Sequence, residues 1–396
     1  MALKTKTKQL ILLLVIYLSF ISLGLPDGSL GVAWPLMRVE FGMPIQAAAW
    51  VVLVTLPLSA ISSVMSTKVG ARFGYGKVTT GSALLTAFSL IGIALSRSYF
   101  GLLFFGIGLG IGQGAVDALL NYYVAHHYSS RHMTWLHGFW GVGATLGPAI
   151  FTLSLAMTGK WTSGYINIGL LQIFIGIILL LTIGFWDQKV EVAQVEEKIE
   201  KGKFEPRMIY GLSFYFLYVG AEFGVGLWTN SYLVESLHID PKISGLFVAG
   251  YYAAIMSGRF LSGIISNKLG NQNMLRLGLS IAILGLGLLS LKPSAEVTRI
   301  ALILTGLGFA PLYPSMMHET PKRFNVPNGA LMIGLQVGVS YVGGTLITNA
   351  LGQWFAWTSI DWLYPIIFVL ALGMMIVSEF YKSSSKQFKS TETTVI

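Results

Sequence analysis

Residues 9–35 read QLILLLVIYLSFISLGLPDGSLGVAWP, an apolar run uncharged until Asp27 and unbroken until Gly24-Leu-Pro26. At about 1.5 Å per residue a run of this kind crosses a hydrocarbon core of about 30 Å as a helix. Lipid offers no partner for a free N–H or C=O, so the helix is forced rather than merely favoured. Lys4, Lys6 and Lys8 precede the run, which is far longer than a signal-peptide core and carries no clear small-residue cleavage site. It reads as a retained first span.

Similar runs follow at 44–66, 78–96, 100–125, 134–157, 165–186, 208–234, 243–267, 274–292, 297–318, 327–351 and 360–381, predicting twelve transmembrane helices. Composition agrees: 54% of the residues are hydrophobic and 11% charged, against roughly 25% charged in a soluble domain. Glycine is abundant, at 46 residues, and suits close helix packing in lipid. Cysteine is absent, which removes disulfide and thiolate-metal readings. No metal site or cofactor is expected.

The net charge of +9 would suggest nucleic acid in a soluble protein, but the basic residues flank apolar runs instead of forming one patch. The termini and every second loop hold 20 of the 26 basic residues, among them Lys68, Arg72, Lys77, Lys201, Lys203, Lys268, Lys322 and Lys382. The opposite loops hold only Arg38, Arg97, Lys160, Lys242, Lys292 and Arg299. The positive-inside rule then puts both termini in the cytoplasm of a multi-pass cell-membrane protein. The partners expected are the bilayer, a small solute and protons, with no nucleic acid, and the chain is read as a monomer.

Sliding the chain against itself by 196 residues aligns Gly24 with Gly220, Gly74 with Gly270, Gly110 with Gly306, Gly138 with Gly334 and Gly147 with Gly343, and Arg72 with Lys268. One offset serving four spans predicts a duplication: six helices in 1–187, a cytoplasmic linker in 188–207 and six more in 208–396. A short amphipathic helix at 192–201 is an alternative to a solvated linker, which mixes acids and bases. Parallel six-span repeats are one architecture of secondary transporters, which bind solute near the midplane between the repeats. No P-loop or H-E-x-x-H is present, so neither an ATP-driven pump nor an enzyme is indicated.

Buried charge marks the candidate chemistry, because an ionisable group costs at least a few kcal/mol in a bilayer core and lines a cavity or pairs there. Asp27, Asp117, Glu222 and Arg259 lie inside the predicted spans. Asp27 stands among Gly24, Pro26 and Gly28, which interrupt helical hydrogen bonding. Gln113, Asp117 and Asn121 recur one helical turn apart and share a face. Trp34, Trp140 and Trp228 lie near these polar positions as possible platforms for a solute. His137 borders the same region, and Gln336 is the repeat partner of Trp140.

The degraded signature between spans 2 and 3 keeps Arg72, Gly74 and Lys77, and its second copy keeps Gly263, Lys268 and Gly270. In both copies the acid is lost, Ala71 and Asn267 standing in its place. With the span count, this resembles the major facilitator superfamily. Within it, Asp117-Ala-Leu-Leu-Asn121, Phe216-Leu-Tyr218-Val-Gly220-Ala-Glu222 and Ser257-Gly258-Arg259-Phe260 are similar to the fucose, galactose and glucose:proton symporter group. The resemblance implies an all-α fold of two six-helix bundles and proton coupling at Asp27, Asp117 and Glu222. It implies solute binding by Gln113, Asn121 and Tyr218; Trp34, His137, Trp140, Trp228 and Gln336 are expected to join them from their place near these positions. Arg72, Gly74, Arg259, Lys268 and Gly270 take structural or gating roles. Gly143-Ala-Thr-Leu-Gly147-Pro148 partly matches a motif of drug:proton antiporters, so export of a drug or metabolite is the alternative; a membrane sensor that moves nothing is a remote third.

Overall fold

The computed structural model describes residues 5–128, 130–186, 203–324 and 326–392. Most of the expected linker therefore lies outside the described residues, including the possible helix at 192–201. Among the described residues, twelve stretches are long and apolar enough to cross a membrane, from Thr7–Glu40 to Ile360–Ser384. Nine of them are single helices; the first and tenth are each two helices, and the last begins with a 3-10 turn at Ile360–Trp362.

The first span is α1 (Thr5–Gly24) and α2 (Ser29–Glu40), separated at Leu25-Pro26-Asp27-Gly28. Pro26 has no N–H to continue the helix, and Gly28 restarts it from a left-handed φ of 76° that costs glycine little. Spans 2 to 6 are α3 (Ala47–Phe73), α4 (Tyr75–Leu95), α5 (Tyr99–His127), α6 (Ser130–Thr158) and α7 (Trp161–Leu181). The last six are α8 (Met208–Glu235), α9 (Pro241–Leu269), α10 (Asn271–Ser290), the pair α11 (Ala295–Phe309) and α12 (Leu312–Arg323), α13 (Val326–Trp357) and α14 (Leu363–Glu392).

The break at Ala310-Pro311 in span 10 was not expected from the apolar run, although Pro311 marks it. A helix interrupted at membrane depth is tolerated where the freed backbone faces protein or a cavity.

Packing follows the 196-residue offset. In the first six spans α1 lies on α6, α3 on α5, and α4 on α5 and α7. Their repeat partners pair alike: α8 on α13, α9 on α11, and α10 on α11 and α14. The hinge glycines obey the same offset. Gly74, between α3 and α4, has φ 98°, and Gly270, between α9 and α10, has φ 72°. Arg72 lies over its neighbour Phe73 at 5.5 Å, and Lys268 is exposed.

The two sets of six spans meet along α2/α8, α3/α13 and α6/α9. On the face away from the termini the seam is closed. Asn230 donates to the Val32 carbonyl at 2.8 Å and Asn349 to that of Ala49 at 3.0 Å. Arg38 pairs with Glu235 at 3.0 Å. Gly31 lies so close to Gly226 and Leu227 that a Cβ would strike their carbonyls. Outside this seal is a vestibule of about 560 Å³ that holds Arg38, Glu235, Lys292 and Asp361 in its wall. Towards the termini the seam loosens: a Cβ at Gly334 or Gly338 of α13 would meet nothing within 4 Å, and His137 of α6 is exposed.

Candidate functional site

Asp27 is placed by the crossing of α1 and α6. Gly24, Gly143 and Gly147 face one another's backbones, and a Cβ on Gly143 would strike the Ile21 carbonyl, one on Gly147 that of Leu25. The glycines of the antiporter-like motif thus serve helix packing. With the two helices this close, the broken turn of span 1 sits against α6, and Trp140 Nε1 donates to Asp27 Oδ2 at 2.8 Å. From α5, Gln113 Nε2 reaches Asp27 Oδ1 at 3.4 Å.

One turn further along α5, Asn121 donates to Asp117 Oδ1 at 2.9 Å. Asp27, Gln113, Asp117, Asn121 and Trp140 are all half-buried at the middle of the bundle. Half-burial there means that they face space between the helices. The last six spans supply the opposing wall. Glu222 of α8 is 7% exposed and pairs with Arg259 of α9 at 3.4 Å. The Arg259 guanidinium lies 4.8 Å from the Trp140 ring centre. Asp27 is within electrostatic reach of both Asp117 and Glu222.

The site therefore has three carboxyls and one guanidinium, joined across the seam by one indole. Hydrogen bonds and a cation over an aromatic face together hold its polar groups. Arg259, which the sequence puts among structural or gating residues, stands inside this cluster. Tyr218 is fully buried and donates to the Phe309 carbonyl at 3.3 Å; it also lies beside Glu222 and Arg259. His137 is exposed one turn from Trp140 and within electrostatic reach of Arg259.

Three sequence-selected residues stand elsewhere. Trp34 is fully buried in the far seam, donates to the Ile45 carbonyl at 2.8 Å and meets Tyr99 edge-on. Trp228 is fully buried too, donating to the Thr348 carbonyl at 3.3 Å against Phe355. Both indoles are used in packing, so neither offers a face to a solute in this state. Gln336 is turned into its own bundle, where its amide donates to Thr320 at 2.9 Å. The sequence reading missed Tyr252, Tyr313 and Tyr341, which surround the acids. For Tyr313 a signal existed, since it is the repeat partner of Asp117.

Twelve spans in paired sets of six, with polar groups gathered between them, define a secondary-transporter architecture. The chain belongs to the Major Facilitator Superfamily, which it matches over residues 16–344 and again over 211–393. It is thus a multi-pass membrane transporter. It is 24% identical over 314 residues to the nitrite extrusion protein of Bacillus subtilis, covering 78% of this chain and 75% of that one. It is 22% identical over 245 residues to a putative glucose/galactose transporter of Helicobacter pylori, covering 55% and 56%. Among solved structures, a D-xylose–proton symporter superposes with TM-score 0.73 at 15% identity over 94% of this chain and 97% of that one. The nucleoside transporter NupG superposes with TM-score 0.74 at 15% identity over 93% and 99%.

Proposed function

We propose that this transporter carries a small neutral polar solute of the sugar class together with protons, by alternating access between its two six-helix bundles. The observation that carries the reading is the gathering of Asp27, Asp117 and Glu222 in one site that holds a single guanidinium, that of Arg259, paired with Glu222. Three carboxylates against one cation leave the site negative unless protons neutralise it. In a poorly screened interior that excess opposes an anion and favours an uncharged solute rich in hydroxyls, entering with a proton. The names of a glucose/galactose transporter and of a D-xylose–proton symporter among similar proteins support the same class. Those of nitrite and cis,cis-muconate carriers point instead to anions, which the charge balance disfavours.

The remaining assignments go with this reading. The bundles comprise 1–187 and 208–396, both termini lie in the cytoplasm, and the chain acts as a monomer in the cell membrane. The seam closed away from the termini then describes a carrier open inward. Gln113 and Asn121 are the amides a sugar would meet. Export has no separate support in the site, because the span 5 glycines are accounted for by packing on α1.

Purified protein in proteoliposomes tests the reading: counterflow of hexoses, pentoses, nitrite and cis,cis-muconate, with and without an inward proton gradient. The expected result is exchange of at least one sugar, accumulated when the outside is acidified. Exchange confined to the anions would overturn it.

A further inference from the structure

The indole of Trp140 is engaged on two sides by groups from opposite bundles. Its edge donates to Asp27 of the first, and its face carries Arg259 of the second, whose other partner is Glu222. Nearby packing fixes this arrangement: Gly141 lies against Met256, and Gly138 against Phe260, so α6 and α9 hold ring and guanidinium together. A side chain fixed in this way is poorly placed to act as a loose platform for a sugar, because one face is already covered.

We infer that Trp140 is a positioning residue that couples the Asp27 carboxyl of one bundle to the Arg259–Glu222 pair of the other, so that a proton on Asp27 is felt across the seam. This rests on the proton-coupled reading of the site and adds the part that transmits it. An N–H donor stabilises the carboxylate more than the neutral acid. When Asp27 takes a proton, the bond to the indole weakens and the ring is free to shift under Arg259. The guanidinium that balances Glu222 then rearranges. The solute-binding wall of the second bundle changes without Asp27 touching it.

Other groups face the same elements. On the acid's side, Asp117 of α5, Tyr252 of α9 and Tyr341 of α13 lie within electrostatic reach of Asp27. On the guanidinium's side are Tyr218 of α8, Tyr251 of α9 and His137 of α6, with Tyr313 of α12 beyond them. None of these bridges the two charges as the indole does. Tyr252 approaches nearest to that role, with its ring 3.0 Å from the Cβ position of Gly28.

The test is an infrared pH titration of the full-length, solute-free protein, in which the protonated carboxyl band that disappears in Asp27→Asn identifies Asp27. Trp140→Phe keeps the ring face and removes the N–H, and should move the midpoint of that band to higher pH by about one unit. Trp140→Tyr provides a second ring-bearing replacement. Trp140→Leu removes the face as well and should also weaken D-glucose counterflow by roughly tenfold. An unchanged Asp27 midpoint in both ring-bearing variants overturns the inference, whatever happens to stability, because a carboxylate that loses an N–H donor must titrate at a different pH. The titration needs no solute. If wild-type protein exchanges no sugar, the transport reading fails, while the bond between Trp140 and Asp27, on which the inference rests, is still decided.

Discussion

Spans 1 and 7 are repeat partners with opposite construction. Span 1 is broken and carries Asp27 in the break, whereas span 7 is continuous and carries Glu222 on an intact helix. Spans 4 and 10 invert the arrangement: span 4 is continuous and bears Asp117, and span 10 breaks at Ala310-Pro311, beside the position that corresponds to Asp117. Each of these two repeat pairs thus supplies one continuous helix and one interrupted helix. The scaffold is duplicated, but the acids and the breaks are distributed so that the bundles face each other with different chemistry. Under the proposed reading, this asymmetry gives one bundle the proton site and the other a charge pair that responds to it.

The strongest way to break the comparison is to unbalance the intact helix. Removing one member of the Glu222–Arg259 pair leaves a charge stranded in the bundle. Arg259→Leu should destabilise the protein by about 3 kcal/mol, read as a lowered melting temperature in detergent with loss of uptake. The double variant Glu222→Gln with Arg259→Gln should recover much of that stability and none of the pH dependence. A double variant as unstable as the single one would show that the pair is not what holds the wall.

The broken helix can be tested by packing. Gly143→Leu puts a side chain where the Ile21 carbonyl lies and should cost about 2 kcal/mol, as denaturant unfolding would report. Gly334, the repeat partner of Gly138, has open space around it, and Gly334→Ala should change stability little. Equal costs at the two sites would mean that the crossing of α1 and α6 is not specially close.

Part of this design was legible beforehand. Twelve apolar runs, one offset and the Gly-Leu-Pro-Asp-Gly sequence fixed the span count, the pairing and the first break, because lipid makes length and backbone satisfaction decisive. Pro311 is an equally physical signal, but it lies inside an apolar run whose hydropathy shows no interruption. The side chains were harder. Trp34 and Trp228 carry the same indole as Trp140, and only the packing of the far seam consumes them. Arg259 reads as a residue near a span end until the approach of α6 and α9 puts it over Trp140. Which face of a helix meets which neighbour is a property of the assembled bundle.

A smaller effect is expected at the closed seam. Asn230 is fully buried, donates across to Val32, and its own Oδ1 finds no partner in the structure. The tie is therefore only partly rewarded, and Asn230→Leu should shift the seam towards opening by about 1 kcal/mol, or roughly fivefold. The chain has no cysteine, so a single Gln113→Cys, on the inner side of the seal, reports this as a faster rate of labelling by an impermeant maleimide added on the side away from the termini. An unchanged rate would mean that Arg38–Glu235 and Asn349 hold the seam alone.

Uptake of a transported sugar by proteoliposomes under an inward proton gradient, wild type against Asp27→Asn, probes the proton site most directly. With Asp27 in the broken first span as the coupling group, wild type should concentrate the sugar and Asp27→Asn should equilibrate it without accumulation. Equal accumulation by both proteins would contradict the assignment of Asp27 as the coupling group.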